Sequence, residues 1–92
     1  MRIYLDHNST APLRNEAKQA MVEAMNIVGN PSSVHLEGRA AKALIENARM
    51  KIAAAIGAVG ADIIFTSGAT ESAALALVGR DIACSKIEHE AV

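Results

Sequence analysis

The stretch "DIIFTSGATESAALAL", residues 62–77, constrains the fold of this chain more than any other. An apolar run rich in β-branched residues ends at Phe65 and Thr66, small residues follow, and helix formers take over from Thr70. That order predicts a buried strand over 62–66, a tight turn, and a short helix over 70–78. Gly79 stops the helix, and 81–85 reads as a second, weaker strand. Strand, helix and strand make a βαβ-like unit, whose parallel strands need further strands beside them and cover on both faces. The chain has only 92 residues, so it is short for building such a sheet alone. It reads as a single partial domain over 1–92 with no internal boundary, α/β in class and helix-rich in content.

Upstream, residues 2–6 read as a short extended piece, followed by a loop from Asp6 to Pro12 that is dense in turn formers. Ala17, Ala20, Met21, Ala24, Met25 and Val28 then recur at helical spacing, with Glu16, Lys18, Gln19, Glu23 and Asn26 filling the other side. Gly29 is placed to end this helix in a left-handed cap, and Asn30-Pro31 bars its continuation. A second helix is expected after Ser32-Ser33, either of which can cap it. Its apolar stripe is Ala41, Leu44, Ile45, Ala48, Ile52, Ala55 and Ile56, and it runs out near Gly57 and Gly60. Glu46 and Arg49 lie one turn apart on the polar side, a pairing that adds a few tenths of a kcal/mol.

Composition narrows the function. Nine Lys/Arg against ten Asp/Glu give a net charge of −1, with no basic run and only 2% aromatic residues, which gives nucleic-acid or membrane-surface binding no electrostatic support. The lone Cys84 leaves no intramolecular disulfide and fits a reducing compartment. No stretch has the length of a transmembrane span, and the first residues lack the apolar core of a signal peptide, so a cytoplasmic location is expected.

The chemistry centres on Ser67-Gly68-Ala69-Thr70. A helix N-terminus has unpaired N–H groups and about half a positive charge, which suits an anion. Gly68 and Ala69 leave the backbone bare for a phosphate, while Ser67 and Thr70 bring hydroxyls. The same four residues are also a plain way to leave a strand and cap a helix with Ser67, and local physics favours that cap. No GxGxxG or Walker-type glycine–lysine pattern is present. His89 follows the second predicted strand and would emerge on the same sheet edge, where an imidazole stacks on a flat ring or moves a proton. A solvated His between two glutamates is the bland alternative. His7 reads as a solvated or capping loop residue.

"IYLDHNSTAP", "GNPSSVHLEGRAA", "IIFTSGATESAALAL" and "KIEHEAV" occur in this order along the chain. In that register the sequence resembles the N-terminal part of the cysteine desulfurases of the IscS/NifS type, among the class V aminotransferase-like enzymes of pyridoxal 5'-phosphate (PLP). The resemblance covers essentially the whole chain. It implies the N-terminal part of a PLP fold-type I large domain: a three-layer α/β/α arrangement with a mostly parallel sheet, in a homodimer. The implied reaction removes sulfur from L-cysteine, leaving L-alanine and an enzyme persulfide that supplies iron–sulfur cluster assembly or tRNA thiolation through sulfur-acceptor or scaffold proteins.

By resemblance Gly68, Ala69 and Thr70 bind the PLP phosphate, and His89 stacks on the pyridine ring and is the candidate for proton transfer; no metal is implied. The cap and anion readings of the turn then coincide, because the N–H groups a cap leaves free are those a phosphate takes. The family's Schiff-base lysine, pyridine-pairing Asp, carboxylate-binding Arg and persulfide Cys fall beyond residue 92; Lys86 is in the wrong place for the first, and Cys84 reads as a small core residue of its strand. The chain by itself is therefore expected to be inactive. In the family the strands at 62–66 and 81–85 are separated by strands not found here, which predicts either marginal stability or a helix-dominated arrangement completed by another chain. "HNSTAP", Arg14-Asn15 and Ala73-Ala74 depart from the usual pattern, and the Arg14-Asn15 start should weaken the first helix's cap. Another class V enzyme (a selenocysteine lyase or an aminotransferase) and a non-catalytic binding module are the alternatives.

Overall fold

The computed structural model describes residues 3–92. Three helices form: α1 (Asn15–Met25), α2 (Leu36–Ala55) and α3 (Ala69–Leu77). The chain falls into two compact units, Met1–Val59 with α1 and α2, and Gly60–Val92 with α3. In the first unit, Tyr4 gathers the loop before α1. Its hydroxyl proton is shared between the carbonyls of Asp6 (2.8 Å) and Thr10 (3.0 Å), and its ring meets His7 edge-on at 5.2 Å.

Helix α1 begins at Arg14 without a side-chain cap, as its departure from the Asp-Pro start predicts. It stops a turn before Val28, and Asn26 is the cause. The Asn26 side chain donates to the Val22 carbonyl (3.1 Å), the acceptor its own backbone N–H would use in a continuing helix, and that N–H bonds Glu23 instead (3.2 Å). Gly29 is therefore not the left-handed cap; its φ is not positive. Its role is close approach. A Cβ there would run into the Glu37 carbonyl, and one on Gly38 would lie 2.5 Å from the Ser33 oxygen and 2.7 Å from the Asn30 oxygen. The segment "GNPSSVHLEG" thus folds as a turn pressed backbone to backbone against the start of α2. Asn30 closes it by accepting from Ser32 N–H (2.9 Å) through its side chain and from Ser33 N–H (2.9 Å) through its carbonyl.

His35, not Ser32 or Ser33, caps α2: its Nδ1 accepts from Gly38 N–H at 3.3 Å. The same nitrogen lies 2.9 Å from Glu37 Oε2. One ring nitrogen does not accept and donate together, so the Gly38 cap and the Glu37 contact belong to different protonation forms. At the other end the helix closes in a Schellman motif. Ala58 N–H reaches Ala53 O (2.8 Å), Gly57 N–H reaches Ala54 O (3.3 Å), and Gly57 takes φ +69. The Glu46–Arg49 pair forms on the polar side at 3.2 Å.

The expected apolar stripe of α2 is covered only in part. Ala41 and Ala53 are the buried apolar side chains among the described residues and Ile45 is half-buried, while Leu44 is 42% exposed and Ile56 66%. Periodicity marks which face is apolar; whether it is buried depends on what packs there, and α1 and α2 do not pack along each other.

In the second unit, residues 62–66 and 81–85 were expected as strands, and neither forms one among the described residues. A strand exists as half of a ladder, and no backbone hydrogen bond joins these two segments. The buried-strand expectation fails with it: Phe65 is 47% exposed and Ile64 72%. Cys84, expected in a core, is exposed for the same reason. The helix forms nevertheless, because its hydrogen bonds are local.

Candidate functional site

The turn at 66–72 is held by side chains on both sides of Gly68. Gly68, rather than Ser67, is the N-cap of α3, and no side chain caps the helix at that position. Its φ of 172 and ψ of −178 are fully extended backbone, which needs no glycine. Space is a separate matter: a Cβ on Gly68 would meet nothing within 4 Å, so the turn is open where it faces outward.

Ser67 is committed elsewhere. Its N–H and its hydroxyl both donate to Glu71 Oε2, at 2.7 and 2.5 Å. The expectation that Ser67 offers its hydroxyl to an anion is corrected by this bond. Glu71 stands at the third helical position, where an acid reaches back to a preceding N–H and sits favourably in the helix dipole. Donation from Ser67, hydroxyl first and backbone second, holds the Glu71 carboxyl below the usual carboxylate range, with a small opposing push from burial.

Thr66 supplies the second clamp. Its Oγ1 donates to the Gly68 carbonyl (3.1 Å) and lies 2.6 Å from Ser72 Oγ. Thr66 has one hydroxyl proton, so with that proton on Gly68 O the Ser72 hydroxyl is the donor of the shorter bond. Ser72 N–H also donates to Gly68 O (3.1 Å), so this carbonyl accepts twice. The N–H groups of Gly68, Ala69 and Thr70 have no partner within the described residues, nor does the Thr70 hydroxyl. Three adjacent donors and a hydroxyl at an open helix start suit an anion with several oxygens.

The sequence placed Gly68, Ala69 and Thr70 correctly at one helix start. The clamps by Thr66, Glu71 and Ser72 were missed. The signal was an acid three residues after the N-cap, legible only once Gly68 is taken as the cap. His89 is exposed in the turn that ends the second unit. Its Nδ1 accepts from Ala91 N–H (3.2 Å), and no hydrogen bond or ring contact joins it to the 66–72 turn. No group of three metal-ligating side chains gathers among the described residues, and no helix there is long and apolar enough to cross a membrane.

Comparison with known proteins adds what the geometry leaves open. Residues 3–92 match the family described as Aminotransferase class-V. A "Cysteine desulfurase IscS" of Dictyoglomus turgidum is 48% identical over 98% of this chain and 25% of its own length. An "IscS-like cysteine desulfurase" of Mycobacterium tuberculosis is 41% identical over 97% of this chain and 26% of its own. The human "Selenocysteine lyase" is 51% identical over 77% of this chain and 16% of its own. The chain thus spans about a quarter of the length of the desulfurases it matches. No solved structure matches.

Proposed function

The chain belongs to the class V aminotransferase family, a family of PLP-dependent enzymes, and on that premise we propose that it is the N-terminal segment of a cysteine desulfurase. The protein acts on L-cysteine, releasing L-alanine and leaving sulfur on the enzyme as a persulfide for iron–sulfur assembly or tRNA thiolation. The observation that carries the reading is the open start of α3, where the N–H groups of Gly68, Ala69 and Thr70 stand free in a family whose cofactor is a phosphate ester. The fit is to the phosphate end of PLP. Backbone donors and the Thr70 hydroxyl hold its oxygens, the helix dipole offsets their charge, and Glu71 is turned back onto Ser67.

When bound, PLP supplies the electron sink for bond cleavage at the substrate carbon. This chain's residues do other work. Gly68, Ala69 and Thr70 bind and orient. His89 stacks against the cofactor ring and holds or moves a proton at its free Nε2 in the assembled protein, since Nδ1 is engaged with Ala91 N–H. The rest of the site comes from outside these residues. The protein is a homodimer of PLP fold-type I, this chain is one partial domain of it, and the working compartment is the cytoplasm. The isolated chain is inactive.

A second reading has its own support: the selenocysteine lyases reach 50–51% identity, although over a shorter span. Alanine release by the PLP-loaded full-length protein, with L-cysteine and L-selenocysteine in parallel, separates the two. Alanine from both supports the desulfurase, alanine from selenocysteine alone the lyase, and amino-group transfer to an added keto acid without release of sulfur or selenium an aminotransferase. PLP binding without turnover leaves a non-catalytic module.

A further inference from the structure

We propose that Thr66, Ser72 and Glu71 are positioning residues that aim the free N–H of Ala69 at the phosphate without touching it. The proposal rests on the PLP reading of the site. Its core is the geometry of one peptide plane. In a trans peptide the carbonyl of one residue and the N–H of the next lie in the same plane and point in opposite directions. The described peptide bonds are all trans. Fixing Gly68 O therefore fixes where Ala69 N–H points.

Gly68 O is fixed from two directions, by the Thr66 hydroxyl (3.1 Å) and Ser72 N–H (3.1 Å). The Ser72 hydroxyl in turn steadies Thr66 Oγ1 at 2.6 Å. Glu71 holds the Thr66–Ser67 peptide, two planes before, by accepting from Ser67 N–H (2.7 Å), and its bond to the Ser67 hydroxyl removes a competing donor from the turn. All of these bonds use donors other than the N–H groups of Gly68, Ala69 and Thr70. Open space lies beside the turn, since a Cβ on Gly68 meets no atom within 4 Å, so hydrogen bonds rather than packing hold this plane. Binding a phosphate to an unheld turn requires ordering that the clamp supplies beforehand.

The test compares PLP with pyridoxal, which lacks the phosphate, in the full-length apo-protein by equilibrium dialysis. Any covalent anchoring of the aldehyde contributes to both ligands, so the ratio of affinities isolates the phosphate. Thr66→Val keeps the branched shape and removes the hydroxyl; Glu71→Ala removes the second clamp. Each is expected to lower the PLP-to-pyridoxal preference about tenfold, the equivalent of one well-made hydrogen bond. Pyridoxal affinity should stay constant, and Thr66→Ser should restore the preference. Equal losses for both ligands would reveal general structural damage and overturn the proposal, as would a preference unchanged in Thr66→Val. If Thr70→Ala lowers the preference while Thr66→Val and Glu71→Ala do not, the clamp fails and the phosphate site stands. A parent protein with no preference for PLP over pyridoxal refutes the phosphate site itself.

Discussion

Gly38→Ala sets two well-understood effects against each other. Gly38 lies inside α2, three residues after its cap, where replacing Gly by Ala ordinarily stabilises a helix by about 1 kcal/mol. Here the new Cβ would sit 2.5 Å from Ser33 O, 2.7 Å from Asn30 O and 2.7 Å from Ser33 Cβ. Two of those atoms are backbone carbonyl oxygens in a turn closed by Asn30, so no side chain can rotate out of the way. Forcing extra atoms into a packed contact costs about 1–3 kcal/mol, and a backbone that must shift belongs at the upper end. Subtracting the helix gain leaves a net destabilisation of about 1–2 kcal/mol, with the sign reversed from what propensity predicts. Hydrogen exchange at the amides of residues 33–41 reads this directly, because local opening sets their protection. Exchange about 5- to 30-fold faster in Gly38→Ala is the expected result. Slower exchange would show that helix propensity outweighs the contact, and the account of the turn packed on α2 would be wrong.

Two further predictions concern Asn26 and Glu71. Asn26→Ala frees the Val22 carbonyl for an ordinary helical bond, so α1 should extend toward Val28, seen as helical carbon chemical shifts at residues 26–28; unchanged shifts would mean that Asn26 does not end the helix. Because the Glu71 carboxyl is held below its unfolded value, its contribution to the start of α3 is present above the ordinary carboxylate range and is lost as pH falls through the lowered value. The Ser67 amide resonance should follow that titration and lose it in Glu71→Gln; a titration that survives in Glu71→Gln would assign it to another group.

How much was legible follows the range of the interactions. The three helices, the Glu46–Arg49 pair and the small-residue start of α3 were read from neighbours within a turn or two, and the structure contains each of them. The helix ends were read less well, since they turn on which side chain wins one carbonyl. Asn26 took the Val22 oxygen and stopped α1, and His35 took the cap of α2 that Ser32 or Ser33 was expected to supply. At the candidate site the same held: Gly68, Ala69 and Thr70 were placed at the start of α3, but Ser67 was given to the ligand when Glu71 holds it.

By itself the sequence determined which segments are helical and which family the chain belongs to, because each rests on spacing along the chain. Only the tertiary structure decided that Gly29 and Gly38 serve close backbone contact and that the two β-branched segments form no ladder with each other. The physical reason is reach. A helix satisfies its backbone from residues four away, whereas a strand and a packed face take their partners from distant segments, and spacing along the chain does not name them.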